Sequence, residues 1–245
     1  MTWGLGRLRT TSRPPRPLIA PGARRGVIAL ILLCAADVAA LGIRYAGHRY
    51  AGPFDTSVDH WFVSNLGLTS LPLTVLTWLG DPGPVALITA LIALACLWAR
   101  WWRGAALAVL AVPAATGLTE DVLKPVIGRT IEGLLSLPSG HTTAAFSLAT
   151  VAAVLLSRVR VGRSRHTSRV LMALACALAV AVAVAMVAQG FHYFTDTVAG
   201  VGAGVGIPLI VALLIDTVAA RRSTAAPEPD PVPDTESPGA GVAGR

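Results

Sequence analysis

Charge is scarce in this chain of 245 residues: Asp, Glu, Lys and Arg together make up 13%, and lysine occurs once, as Lys124. So low a charge content is far from that of water-soluble domains and argues against one. Cysteine is equally sparse. Cys34, Cys96 and Cys176 each stand alone in an apolar run, which argues against a disulfide framework and against a zinc site and leaves them as packing residues. Acidic residues are too dispersed to supply a cluster suited to magnesium. No internal repeat is evident.

What the chain has in abundance is apolar sequence. Hydrophobic residues make up 54%, and the mean hydropathy is +0.65. Runs long enough to cross a hydrocarbon core, about 20 residues each, occur at Gly26–Ile43, Leu71–Trp98, Gly104–Lys124, His141–Val159, Arg169–Gln189 and Thr197–Ala220. The fold class expected is therefore all-α, a polytopic membrane bundle of about six spans. Gly80-Asp81-Pro82-Gly83-Pro84 breaks the second run, so its first part reads as a short re-entrant or surface helix and its second part as the span.

The net charge of +7 and pI near 10.3 suggest nucleic acid only until the basic residues are mapped. They cluster in the N-terminal stretch, at Arg100 and Arg103, between Arg158 and Arg169, and at Arg221 and Arg222. With alternating spans these fall on one face, which the positive-inside rule makes cytoplasmic. Both termini are then cytoplasmic, and Lys124, Arg129, His141, His192 and Asp196 lie on the extracytoplasmic side. A signal peptide is the alternative for the N-terminus, but no convincing small-x-small site closes the apolar run. Residues 1–25 and 221–245 read as unfolded tails, the latter with five prolines and four acids, around a membrane domain at 26–220. Between the first two runs, residues 54–66 place apolar residues at 54, 58, 61, 62 and 66, the spacing of an amphipathic interfacial helix.

Three stretches carry chemistry. Pro138-Ser139-Gly140-His141 opens the fourth span, and the N–H groups at a helix start, with the dipole behind them, favour an anion. His192 and Asp196, four residues apart, share one helical face if the segment entering the sixth span is helical, so that the carboxylate can accept a proton from one ring nitrogen and leave the other free to attack. Lys124 adds a cation. Two histidines able to divide the roles of nucleophile and acid, one carboxylate and a helix-capped anion seat are the parts of metal-free phosphoryl transfer.

Over residues 54–215 these features resemble the type 2 phosphatidic acid phosphatases (PAP2), the integral-membrane branch of a superfamily that includes vanadium haloperoxidases. The family pattern is Lys-x6-Arg-Pro, Pro-Ser-Gly-His and Ser-Arg-x5-His-x3-Asp. The second motif is intact at 138–141, as is the His-x3-Asp half of the third at 192–196. Ile131 and Glu132 stand where the first motif has Arg-Pro, with Arg129 two residues early, and Ala185 and Met186 replace Ser-Arg. The resemblance implies His192 as nucleophile, Asp196 as its orienting carboxylate, His141 as acid, and Lys124, Arg129, Ser139 and Gly140 around the phosphate. It implies no metal and no cofactor. The partners expected are a lipid phosphate, such as a polyprenyl (di)phosphate or phosphatidate, and membrane lipids, not nucleic acid. Either Arg129 and Lys124 suffice as clamps, or Arg44 or Arg49 moves in, or activity is low. A lipid-phosphate binding or transport accessory protein and a phosphotransferase remain as alternatives.

Overall fold

The computed structural model describes residues 17–66, 71–158 and 165–224. The arginines at 7, 9, 13, 16, 160 and 163 and the Pro-rich C-terminal stretch lie outside the described residues, and so does the expectation that they form tails and a basic loop. Within the described residues the chain is a bundle of α1 (Arg24–Tyr45), α2 (Pro53–Leu66), α3 (Leu71–Leu79), α4 (Pro82–Trp98), α5 (Trp102–Gly117), α6 (Lys124–Ile127), α7 (Gly140–Arg158), α8 (Arg165–Ala188) and α9 (Phe194–Thr224). Five continuous helices, α5 and α6 joined as one, are long and apolar enough to cross a membrane. The pair α3 and α4 is bent by 59° at Gly80–Asp81 and brings the number to six when counted as one broken span.

Leucine, isoleucine and valine side chains exposed around α1, α4, α8 and α9 would be costly in water and suit lipid. Inside, small residues let the backbones close up. A Cβ at Gly200 would lie 2.8 Å from the Ser139 carbonyl, and one at Gly204 2.7 Å from that of Thr143. Glycine at both positions therefore sets the α7–α9 spacing, as small residues do where helices meet in membranes. The hydroxyls of Thr143 and Thr150 cross the seam to donate to the carbonyls of Gly200 and Gly204, at 3.4 and 3.3 Å.

Leu18 and Ile19 are buried rather than part of an unfolded tail. Their N–H groups donate to the two carboxylate oxygens of Asp216, both at 2.8 Å, and Arg158 donates to the Leu18 carbonyl at 3.1 Å. An apolar pair held by a buried acceptor pins this end of the chain to α7 and α9, which the arginine and proline around it conceal in the sequence.

After Gly117 the fifth helix passes through a π-turn at Leu118–Leu123 before α6. Such turns shift every later side chain around the axis and recur at functional sites. A two-residue hairpin follows, pairing Thr130 with Leu135 and Ile131 with Leu134. Its turn residues, Glu132 and Gly133, have φ of 49° and 84°, as a type I′ turn demands. Proline cannot adopt positive φ, so the Arg-Pro expected at 131–132 is incompatible with this turn. The sequence reading contained no hairpin, because Glu-Gly is a weak turn signal.

Candidate active site

One end of the bundle gathers the chemistry-bearing residues. Ser139 caps α7 through its hydroxyl, which accepts from the Thr142 N–H at 3.4 Å and the Thr142 hydroxyl at 3.1 Å. Its own N–H donates to the Asp196 carbonyl at 2.9 Å. Ser139 is thus fully buried and ties the first turn of α7 to the start of α9. The N–H groups left facing outward by the geometry of a helix start are those of Gly140 and His141.

The His192 ring nitrogen Nδ1 lies 3.5 Å from Oδ2 of Asp196. That is too long for a full hydrogen bond, and His192 lies before α9 begins at Phe194 instead of on the same helix as Asp196. Oδ2 also accepts from the Tyr193 N–H at 3.2 Å. Burial holds the His192 pKa below the ordinary histidine value; Asp196 opposes this, while Lys124 and His141 add to it through space. A neutral imidazole within the field of both other residues is what a nitrogen nucleophile requires.

His141 has a carboxylate of its own. Its Nε2 is 2.9 Å from Oδ1 of Asp81, and the Gly80 backbone packs so closely that a Cβ there would meet the His141 ring at 2.8 Å. The Gly-Asp break between α3 and α4 therefore delivers Asp81 to the imidazole. The break is visible in the sequence, but its destination is not.

Lys124 pairs with Glu120 at 2.8 Å. The Glu120 carboxylate lies directly over the Cα of Gly140: a Cβ there would collide with Oε1 and lie 3.7 Å from the Lys124 Nζ. The chain's own carboxylate thus occupies the space in front of the α7 N-terminus. Beneath it, an apolar groove of about 580 Å³ runs between α4 and α5, lined by Val85, Thr89, Val109, Val112 and Pro113, with Glu120, Asp121 and His141 at its polar end.

Arg129 departs most from its expected place as a clamp. It is 0% exposed. NH1 donates to Asp196 Oδ1 at 2.6 Å and to the Thr195 hydroxyl at 2.7 Å, and NH2 to Asp55 Oδ2 at 2.5 Å. The rings of Tyr45 and Tyr193 lie 4.1 and 4.4 Å from its Cζ. The reason is the hairpin, which turns the chain so that Arg129 reaches behind Asp196. Arg44 is exposed on the surface and lies 5.3 Å from the Tyr45 ring, and Arg49 is exposed. Ala185 and Met186, at the other motif position, are buried apolar residues, so no guanidinium enters from α8 there.

The sequence reading also missed Asp55 and Asp59. Both fall off the apolar stripe at 54, 58, 61, 62 and 66, but Asp55 is the buried residue of α2 while Phe54 and Trp61 are exposed. Asp59 accepts from the Phe194 N–H at 2.9 Å. Its pKa is raised to about 7, first by burial and then by Asp55 and Asp196, against the Phe194 N–H and Arg129. A pair of acids one helical turn apart was the available signal, which a solvated face produces equally well. Among the described residues no group of three or more His, Cys, Asp or Glu is arranged to hold a metal ion.

The PAP2 superfamily model matches residues 77–219. The chain belongs to the PAP2 superfamily. The crystal structure of a transmembrane PAP2-type phosphatidylglycerolphosphate phosphatase from Bacillus subtilis is similar over 80% of this chain and 96% of that one, with a TM-score of 0.56 and 21% sequence identity. At that identity the likeness is one of fold, and it agrees with the membrane bundle expected of a PAP2 protein. No curated protein matches the sequence. The PAP2 match begins at Thr77, so α1 and α2, which supply Tyr45 and Asp55, lie before it.

Proposed function

We propose that this PAP2 protein is a phosphatase that hydrolyses the phosphate monoester or diphosphate of a membrane lipid at the extracytoplasmic face. The observation that carries the reading is the convergence of two histidine–aspartate pairs, His192–Asp196 and His141–Asp81, with Lys124 at the N-terminus of α7. Binding alone needs neither a nucleophile nor an acid.

In this mechanism neutral His192, its Nδ1–H directed to Asp196, attacks phosphorus through Nε2. The bond from phosphorus to the lipid oxygen breaks, and that oxygen takes a proton from His141. Water, deprotonated by His141, then attacks the phosphohistidine; the P–N bond breaks, phosphate leaves and His192 is restored. Lys124 and the Gly140 and His141 N–H groups hold the phosphoryl oxygens, with the helix dipole behind them. Ser139 acts by capping α7, and Arg129 acts from behind Asp196. No step uses a cofactor.

The apolar groove between α4 and α5 is suited to a lipid tail, and its polar end holds His141, where the scissile oxygen would sit. The opposite end of the bundle carries Arg100, Arg103 and Arg158, which supports placing that end in the cytoplasm. The functional unit is the membrane domain at 26–220. A second reading, a weakly active or purely binding protein, is favoured by the sequestered Arg129: loss of an electrostatic clamp can cost on the order of 100- to 1000-fold in rate. Phosphate release by the detergent-purified protein from phosphatidate, undecaprenyl phosphate and undecaprenyl diphosphate, compared with His141→Ala, separates the two. Turnover lost in the variant supports the phosphatase. Lipid binding with no turnover in either protein supports the second reading.

A further inference from the structure

The carboxylate of Asp196 is not held by the segment around His192 alone. One oxygen receives the Arg129 guanidinium at 2.6 Å, and the same guanidinium is fixed from its other side by Asp55. Asp55 does more than neutralise it. Its second oxygen accepts the Thr195 N–H at 3.0 Å, and Oδ2 accepts the Thr195 hydroxyl at 2.9 Å. With Asp59 on the Phe194 N–H, two carboxylates one turn apart on α2 cap the first turn of α9 from a different helix, a role usually filled by the residue just before the helix. Phe62 of α2 stacks on Phe194 at 6.4 Å.

This arrangement leaves Asp196 little freedom. All three members, Asp55, Arg129 and Asp196, are fully buried, where charge-assisted hydrogen bonds are short and directional. A planar guanidinium that bridges two carboxylates, one terminal nitrogen to each, fixes both in register, which a lysine ammonium cannot reproduce. Arg129 engages Oδ1 of Asp196 and leaves Oδ2 facing His192. The carboxylate charge there stabilises the imidazole ring as it becomes positive on phosphoryl transfer.

We propose that Asp55 and Arg129 are positioning residues that hold Asp196 in line with His192, so that α2, a helix before the family-matched segment, completes the nucleophilic pair. This rests on the reading of His192 as nucleophile. Neither residue touches substrate. Their removal therefore slows formation of the phosphoenzyme while leaving substrate binding at the α7 N-terminus in place.

The test uses the full chain in detergent with phosphatidate in mixed micelles. The rate of phosphoenzyme formation in single turnover, kcat and KM are measured for wild type, Asp55→Asn and Arg129→Lys, with size-exclusion behaviour and thermal unfolding as controls of folding. Misplacement of a catalytic group by about 1 Å can cost on the order of 100-fold. The expected result is kcat and the phosphorylation rate down by roughly 10- to 100-fold in both folded variants, with KM changed by less than about threefold. Folded variants with wild-type kcat, or with KM rising and kcat unchanged, overturn the proposal. Should Asp55→Asn not fold, Arg129→Lys, which keeps the charge and loses the bridge between the two carboxylates, decides alone. A wild type that turns over without a phosphoenzyme trapped at His192 contradicts the nucleophile assignment instead, and so separates that failure from this one.

Discussion

Glu120 offers a sharp test of where the phosphate sits. Its carboxylate lies over Gly140 and pairs with Lys124 at 2.8 Å, so a phosphoryl group entering the same space must displace it. The ion pair itself is worth little, because a half-exposed i,i+4 pair contributes roughly 0.3–0.5 kcal/mol. The larger effect is repulsion. Two unit negative charges about 4 Å apart repel by about 1 kcal/mol in bulk water and several times that near a protein surface. Movement of the Glu120 side chain toward solvent relieves part of this, leaving about 1–2 kcal/mol against binding. Glu120→Gln should therefore lower KM, and the inhibition constant of inorganic phosphate, by roughly 5- to 30-fold, with kcat changed little. Phosphate inhibition is the cleaner readout, because it reports binding without chemistry. An unchanged or higher inhibition constant in folded Glu120→Gln would refute the reasoning. It would mean either that phosphate binds elsewhere or that Glu120 serves the site by orienting Lys124.

Two further outcomes are expected. Asp81→Asn, which keeps the shape of the His141 partner but removes its charge, should lower kcat by roughly tenfold through loss of oriented acid–base catalysis, with phosphoenzyme formation and breakdown both slowed; steady-state and single-turnover rates check this. Asp59, raised to about 7 from 3.8, binds its proton more tightly folded than unfolded. The stability it contributes is therefore complete below pH 4 and is lost as pH rises toward and through 7. Thermal unfolding should show wild type losing stability relative to Asp59→Asn between about pH 4 and 7 and levelling off above, and parallel curves across that range would contradict it.

The spans were legible because a helix surrounded by lipid must be apolar over its whole length, a signal that survives without any partner. The break at Gly80–Asp81 and the helix start at Pro138–His141 were legible for a related reason, since proline and glycine impose local geometry. The seat of Arg129 was not legible. Its environment depends on a hairpin whose turn residues, Glu132 and Gly133, carry a weak signal, and on carboxylates 74 and 67 residues away in sequence. Asp55 was hidden for the same reason: amphipathic spacing assigns acids to the solvent face unless a distant cation claims them. The buried pair Leu18 and Ile19 likewise depends on Asp216, 198 and 197 residues distant.

If His192 is the nucleophile of a lipid-phosphate hydrolase, turnover passes through a phosphohistidine that can be trapped. Protein with EDTA present would be quenched milliseconds to seconds after mixing with phosphatidate labelled in the phosphate, and the label located by peptide mapping. The expected result is an acid-labile, base-stable phosphoryl group on the peptide containing His192, formed at least as fast as phosphate is released and absent in His192→Ala. Phosphate release undiminished in folded His192→Ala would contradict it.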